Sequence, residues 1–157
     1  MMIRSDSDRN GSAPVSLLSP EQAVGFVLWR VLHRYQREVD RALISLGITH
    51  LQFAILAMGT WLAADGSRLT QSALAAASGI HPMQLSSVLK ALEHKLLVTR
   101  RTAPSNLRSK IVMLSPQGIT TVAEALPLVI AVQRRVFGKS EAALMDILRS
   151  IETPDAI

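Results

Sequence analysis

Residues Leu69 to Leu114, LTQSALAAASGIHPMQLSSVLKALEHKLLVTRRTAPSNLRSKIVML, constrain the chain most. The stretch reads as two short helices at an angle, followed by a basic two-stranded hairpin. Thr70 is a good N-cap for the first helix, and Gly79 suits the left-handed residue that closes it. Pro82 has the fixed φ and missing N–H of a first helical turn. Leu85, Val88, Leu89 and Leu92 then recur at helical spacing and form an inward stripe. Gln84, Ser87, Lys90 and His94 fall on the opposite face, with Ser86 on its flank. That face is polar and free of acids, as a surface entering a major groove must be.

Counted from Gly79, a helix-turn-helix has an apolar residue five before, a small one four before, and apolar residues at plus one, plus six and plus nine. Leu74, Ala75, Ile80, Leu85 and Val88 stand there. The small residue lets the helices cross closely, and the apolar ones fill the angle between them. The competing reading of this pair is an ordinary two-helix corner in an all-α core. The hairpin that follows argues against it. Val98 to Thr102 reads as a strand, Ala103 to Ser109 as a loop, and Lys110 to Leu114 as a second strand, with Val112 and Leu114 alternating against Ile111 and Met113. Two strands with a basic tip make a wing, and Arg108 near the tip has the reach to enter a minor groove.

Charge placement supports this. Arg68, Lys90, Lys95, Arg100, Arg101, Arg108 and Lys110 lie between Gly66 and Ser115 against the single acid Glu93, a local +6 in a chain of net +5. The excess positive charge therefore sits on the helix pair and hairpin, the footprint of a phosphate-backbone binder. The chain has 157 residues, enough for one domain with a real core, and no cysteine, which excludes disulfides and zinc–thiolate sites. No apolar run is long enough to span a bilayer. The start MMIRSDSDRNGSAPVS lacks the apolar core of a signal peptide, so a cytoplasmic protein is expected.

Residues 1–18 read as a flexible arm. Ser19-Pro20-Glu21-Gln22 reads as a helix start with Ser19 as cap. Val24, Val27, Leu28, Val31, Leu32, Tyr35, Val39, Ala42, Leu43 and Leu46 form one long stripe that ends at Gly47. Thr49 and Gln52 make a capping box for a second helix running to about Ala64. Ser67 to Leu69 is expected to form a short strand beside the hairpin. Ser115-Pro116 opens a helix to about Phe137, which Pro127 should kink or break. Ser140 is expected to cap a last helix with an apolar face of Ala143, Leu144, Ile147, Leu148 and Ile151, stopped by Pro154.

The order of elements, with LGIT-x-x-Q at Leu46 to Gln52, the helix-turn-helix, LE-x-K-x-L-V at Leu92 to Val98 and RSKIVMLSPQG at Arg108 to Gly118, resembles the MarR family of bacterial transcription regulators over nearly the whole chain. The resemblance implies a mainly α fold with a small β-wing, a winged helix-turn-helix lobe at 48–114, and dimerisation through N- and C-terminal helices at 19–47 and 115–152. The exposed stripes of those helices agree with an interface, an intramolecular bundle being the alternative. A homodimer presents two recognition helices to successive major grooves, roughly 10 base pairs apart, on a pseudo-palindrome. The implied function is sequence-specific binding of double-stranded DNA, with repression as the family default.

Gln84, Ser86 and Ser87 are then candidates for base-edge or phosphate contact, Lys90 and Ser72 for phosphate contact, and Arg100, Arg101, Arg108 and Lys110 for wing and backbone charge. Family members often respond to a small phenolic or lipophilic acid. Trp29, His33, Met58 and Trp61 are candidates to line its pocket, or else serve as core or interface packing. No metal-ligand spacing, cofactor motif or catalytic constellation stands out, so no enzyme, metal or cofactor is expected. The competing function is a winged-helix protein-interaction module without DNA readout. Two positions depart from the family pattern. Asn106 stands where an Asp is common before the wing arginine, and an uncharged amide holds that arginine less firmly. Leu96 stands where Gly is common after the recognition helix. A leucine is sterically disfavoured at positive φ, so a different helix ending is expected.

Overall fold

The computed structural model describes residues 19–104 and 106–152, and only the backbone of 106–108. The expected arm at 1–18, the stop at Pro154 and the side chains of Asn106 and Arg108 lie outside that description. The elements in chain order are α1 (Val24–Ala42), α2 (His50–Leu62), α3 (Gln71–Ser78), α4 (Pro82–His94), β1 (Val98–Ala103), β2 (Asn106–Leu114), α5 (Pro116–Phe137) and α6 (Glu141–Glu152). This is a mainly helical chain with one two-stranded antiparallel sheet, the winged helix-turn-helix order that the sequence predicts.

The chain divides into two compact units, one ending at Leu32 and the other starting at His33. The described part of the first is a turn and the opening of α1. The helix does not start at Ser19 as expected. The Ser19 carbonyl accepts from the Gln22 and Ala23 N–H groups at 2.9 and 3.2 Å, closing an isolated turn, and regular helix begins at Val24. Val24, Phe26, Val27, Leu28, Trp29, Val31 and Leu32 are all exposed in this unit.

The second unit holds the core. Leu85, Leu89 and Leu92 of α4 are fully buried with Leu43, Ile55, Leu56 and Leu74. Each such side chain contributes about 1.5–3 kcal/mol of burial. Helix ends are set locally, as the sequence predicts. Thr49 and Gln52 form both bonds of the capping box. Thr70 Oγ1 accepts the Ala73 N–H at 3.1 Å, and Gly79 closes α3 at φ +65°. Ser115 caps α5 through the Gly118 N–H at 2.9 Å.

Three expectations are corrected here, and of the kink or break expected at Pro127 only the break is excluded. Ser67 to Leu69 form no strand: one bridge joins Thr70 to Ile111, beside a Val112 N–H to Leu69 carbonyl bond of 2.8 Å. Thr70 must turn to cap α3, which stops the pairing. The loop expected over 103–109 is shorter, because both strands reach further. Thr102 pairs with Lys110 but Ala103 with Asn106, so residues 107–109 interrupt the ladder. Pro127 does not break α5. Pro127 and Ala123, whose carbonyl loses its partner, both face solvent. Ser140 lies in a short 3-10 turn, 138–140, in which the Glu141 N–H bonds the Gly138 carbonyl, so it is no simple N-cap for α6.

Leu96 also overturns its expectation. It takes φ +60°, so α4 ends as it would with glycine. Leu97 N–H bonds the Leu92 carbonyl at 3.0 Å and Leu96 N–H bonds the Glu93 carbonyl at 2.9 Å, the paired bonds of a Schellman ending. Leu92 and Leu97 are both buried, and they supply its usual apolar contact.

Candidate nucleic-acid interface

The outward face of α4 is built by its own periodicity. With Leu85, Leu89 and Leu92 turned in, Met83, Gln84, Ser87 and Lys90 are left exposed, and Ser86 is half-buried at the edge. His81 caps the helix: its Nδ1 accepts the Met83 N–H at 3.3 Å, which leaves the ring proton on Nε2 as a donor at the helix start. This cap is absent from the sequence reading, since histidine is not a usual N-cap residue. Ser87 Oγ donates to the Met83 carbonyl at 3.2 Å and keeps its lone pairs.

A second part of the surface joins α3 to the wing. Gln71, Ser72, Ser109 and Lys110 rim a concavity of about 480 Å³ floored by Ala75, Ala76, Ile80 and Pro82. Ser72 Oγ lies 3.1 Å from Thr70 Oγ1, and Lys110 Nζ donates to Thr102 Oγ1 at 2.8 Å. The structure thus brings Ser72 and Lys110 together, close to the start of α4. Arg101 lies elsewhere. With Arg68 it borders a concavity of about 420 Å³ that includes Leu69, Ile111 and Met113.

Arg100 differs most from its sequence expectation as wing and backbone charge. Its side chain is only 20% exposed, and Nε and Nη2 reach Glu93 Oε2 at 2.9 and 2.6 Å. Nη1 lies 3.5 Å from Gln71 Oε1 and 3.4 Å from Ser86 Oγ. A guanidinium in this position ties β1 to both α3 and α4. Its hydrogen bonds hold the Glu93 carboxyl below the usual carboxylate range. Lys95 is likewise engaged: Nζ donates to the Gly47 carbonyl at 2.6 Å and to Gln52 Oε1 at 2.8 Å. Each of these partners lies on a different element from the cation it holds, and periodicity carries no signal for such pairs.

The end of α4 is also locked to α5. Ser115 N–H bonds the Leu97 carbonyl at 3.0 Å and Ser115 Oγ donates to the Leu96 carbonyl at 2.7 Å. Gly118 packs against the Leu97 peptide so closely that any Cβ there would overlap its carbonyl oxygen. Of the residues expected to line an effector pocket, Trp29 and Trp61 are exposed at 58% and 71%, so neither is core packing. His33 and Met58 are half-buried.

A cationic, acid-poor helix face beside a wing defines the winged helix-turn-helix class of nucleic-acid-binding proteins. A sequence model of the MarR family matches residues 48–110. The chain is 33% identical over 118 residues to the uncharacterized HTH-type transcriptional regulator YdcH of Bacillus subtilis, covering 75% of this chain and 80% of that one. It belongs to the MarR family of transcriptional regulators. An HTH-type transcriptional repressor of Mycobacterium tuberculosis is 29% identical over 125 residues, 80% of this chain and 87% of that protein. Among solved structures, the transcriptional repressor CouR of Rhodococcus jostii, bound to a 23-mer DNA duplex, superposes with a TM-score of 0.73 at 26% identity. The match covers 88% of this chain and 100% of that one. CouR is also known bound to p-coumaroyl-CoA.

Proposed function

We propose that the protein is a cytoplasmic, homodimeric repressor that binds a pseudo-palindromic DNA operator and is released by a small lipophilic or phenolic acid. The observation that carries this reading is the outward face of α4, exposed, polar and cationic with no acid on it. Gln84, Ser86 and Ser87 read base edges or hold phosphate. Lys90, Arg101, Arg108 and Lys110 meet the backbone, and Ser72 shares the phosphate groove with Lys110. Arg100 acts by positioning, through Glu93 and Ser86. Residues 48–114 are the DNA-binding lobe, and 19–47 with 115–152 form the dimer. The support for a dimer is uncovered apolar surface, on the opening of α1 in one unit and on α5 and α6 in the other. The support for an effector is the acyl-CoA ligand of CouR.

The test is binding of the full chain to its own upstream intergenic DNA across a salt series with excess competitor. A specific complex is expected, with log K falling by about 0.9 per phosphate contacted for each decade of salt. No binding at low salt would favour the protein-interaction module instead.

A further inference from the structure

Met83 is the second residue of α4 and is 76% exposed. Single exposed apolar side chains are ordinary on protein surfaces, but this one has an unusual setting. On the outward face of α4 it stands among the polar residues Gln84, Ser87 and Lys90, with the exposed Pro82 just before it in the chain. Its backbone is pinned on both sides, by the His81 ring at its N–H and by the Ser87 hydroxyl at its carbonyl. The thioether therefore projects from a fixed point on the polar face.

The first turn of a recognition helix is the part that reaches base edges. The apolar group that base edges offer in the major groove is the C5-methyl of thymine. We propose that Met83 is a specificity-determining residue whose thioether packs on one thymine methyl in each half-site. The inference rests on the DNA-reading function proposed above. An unbranched, polarisable side chain with three rotatable bonds suits a methyl contact whose position varies slightly with DNA twist. Gln84 points about 100° further round the helix, so its amide meets a neighbouring base pair and supplies the directional hydrogen bond that a thioether lacks.

The test uses an operator selected by the full chain from a random duplex library. Each thymine is then replaced singly by deoxyuridine, which removes only the methyl. One thymine per half-site should lower wild-type affinity about fourfold when so replaced, the fold-change for one buried methyl-sized group. Met83→Ala should bind the thymine and deoxyuridine duplexes equally, with unchanged thermal melting, and Met83→Leu should keep part of the discrimination. Wild-type indifference to every deoxyuridine would overturn the proposal, as would a sensitivity that persists in Met83→Ala. A selection that enriches no sequence would overturn the DNA-reading function and this proposal together, whereas enrichment without a Met83-dependent methyl effect overturns the proposal alone.

Discussion

The lobe from α2 to β2 and the helix α6 carry similar apolar stripes, yet they end up in opposite states. In α4 the stripe turns inward, with Leu85, Leu89 and Leu92 buried and Val88 partly so, while α6 has no buried residue at all and leaves Ile147 and Ile151 at 57% and 70% exposure. The stripe of α1 shows both states in one helix: Val39 is buried, and the residues up to Leu32 are exposed. Periodicity records that a face needs covering, and it does not record who covers it. The lobe is closed within the chain, by its own elements with Leu43 and the inner face of α5. The outer helices keep apolar surface that the described residues leave exposed.

The largest effect should come from attacking that second surface. Ile147→Glu with Ile151→Glu removes nothing from the core of a single chain, since both side chains are exposed. If α6 completes itself on a partner, the double variant becomes a monomer by light scattering and keeps a folded lobe. Its operator affinity then falls by about 10²–10⁴, the loss expected when two linked half-site contacts become independent. An unchanged mass and affinity would mean that the helix is simply exposed, and the contrast between the regions would have no functional content.

The same substitution at two glycines sharpens the contrast. Gly118→Ala drives a Cβ into the Leu97 carbonyl, which a flexible side chain cannot relieve because the obstacle is backbone. It should cost about 3 kcal/mol, at the upper end for overpacking, read as a shift of the urea midpoint. Gly25→Ala meets no heavy atom within 4 Å and should be neutral or stabilising by up to about 1 kcal/mol. Equal effects at the two sites would contradict the difference in closure.

Arg100→Met tests the polar bond between wing and α4. It leaves the Glu93 carboxylate without its partner and should cost about 1–2 kcal/mol at neutral pH, the roughly 1.5–3 kcal/mol of a hydrogen bond to a charged group reduced by solvent at a pair 20% and 30% exposed. The Arg100 bonds lower the folded pKa of Glu93 below its ordinary 4.5. The stabilisation is therefore fully present above that ordinary value and disappears as pH falls through the folded one. The deficit of the variant should shrink in acid. A deficit that stays constant from neutral pH downward would show that Arg100 acts through packing alone.

What was legible in the sequence was what short-range chemistry decides. Thr49 with Gln52, Thr70, Gly79 and Ser115 each mark an end that one or two hydrogen bonds settle, and the Leu85 to Leu92 stripe settles the orientation of α4. The types of residue on the candidate interface were legible for the same reason. Their partnerships were not. Arg100 reads as one more wing cation until β1 folds back beside Glu93, and Lys95 as part of the local basic excess until α4 meets Gly47. The hairpin tip is shorter than its composition suggests because its strands pair irregularly past Thr102. Ser19 has the side chain of a cap, but its carbonyl closes a turn. In each of these cases a contact between segments, or between backbone groups, outweighs a local preference that is real but small.

Leu96 is the place where the two regions meet, and it yields the smallest expected effect. A non-glycine residue in the left-handed region is disfavoured by about 1–2 kcal/mol. Leu96 tolerates it because the Leu97 bond to Leu92 and the Ser115 hydroxyl hold the peptide from both sides. The side chain is 72% exposed, so little burial would be lost by deleting it. Glycine also loses more chain entropy on folding, which returns about 0.5–1 kcal/mol of the gain. Leu96→Gly should therefore raise stability by about 0.5–1 kcal/mol, with unchanged operator affinity, in a melting experiment paired with a DNA titration. A loss of stability that grows with protein concentration would show that Leu96 is covered in the dimer. The surface completed by a second copy would then extend from the outer helices to the end of the recognition helix itself.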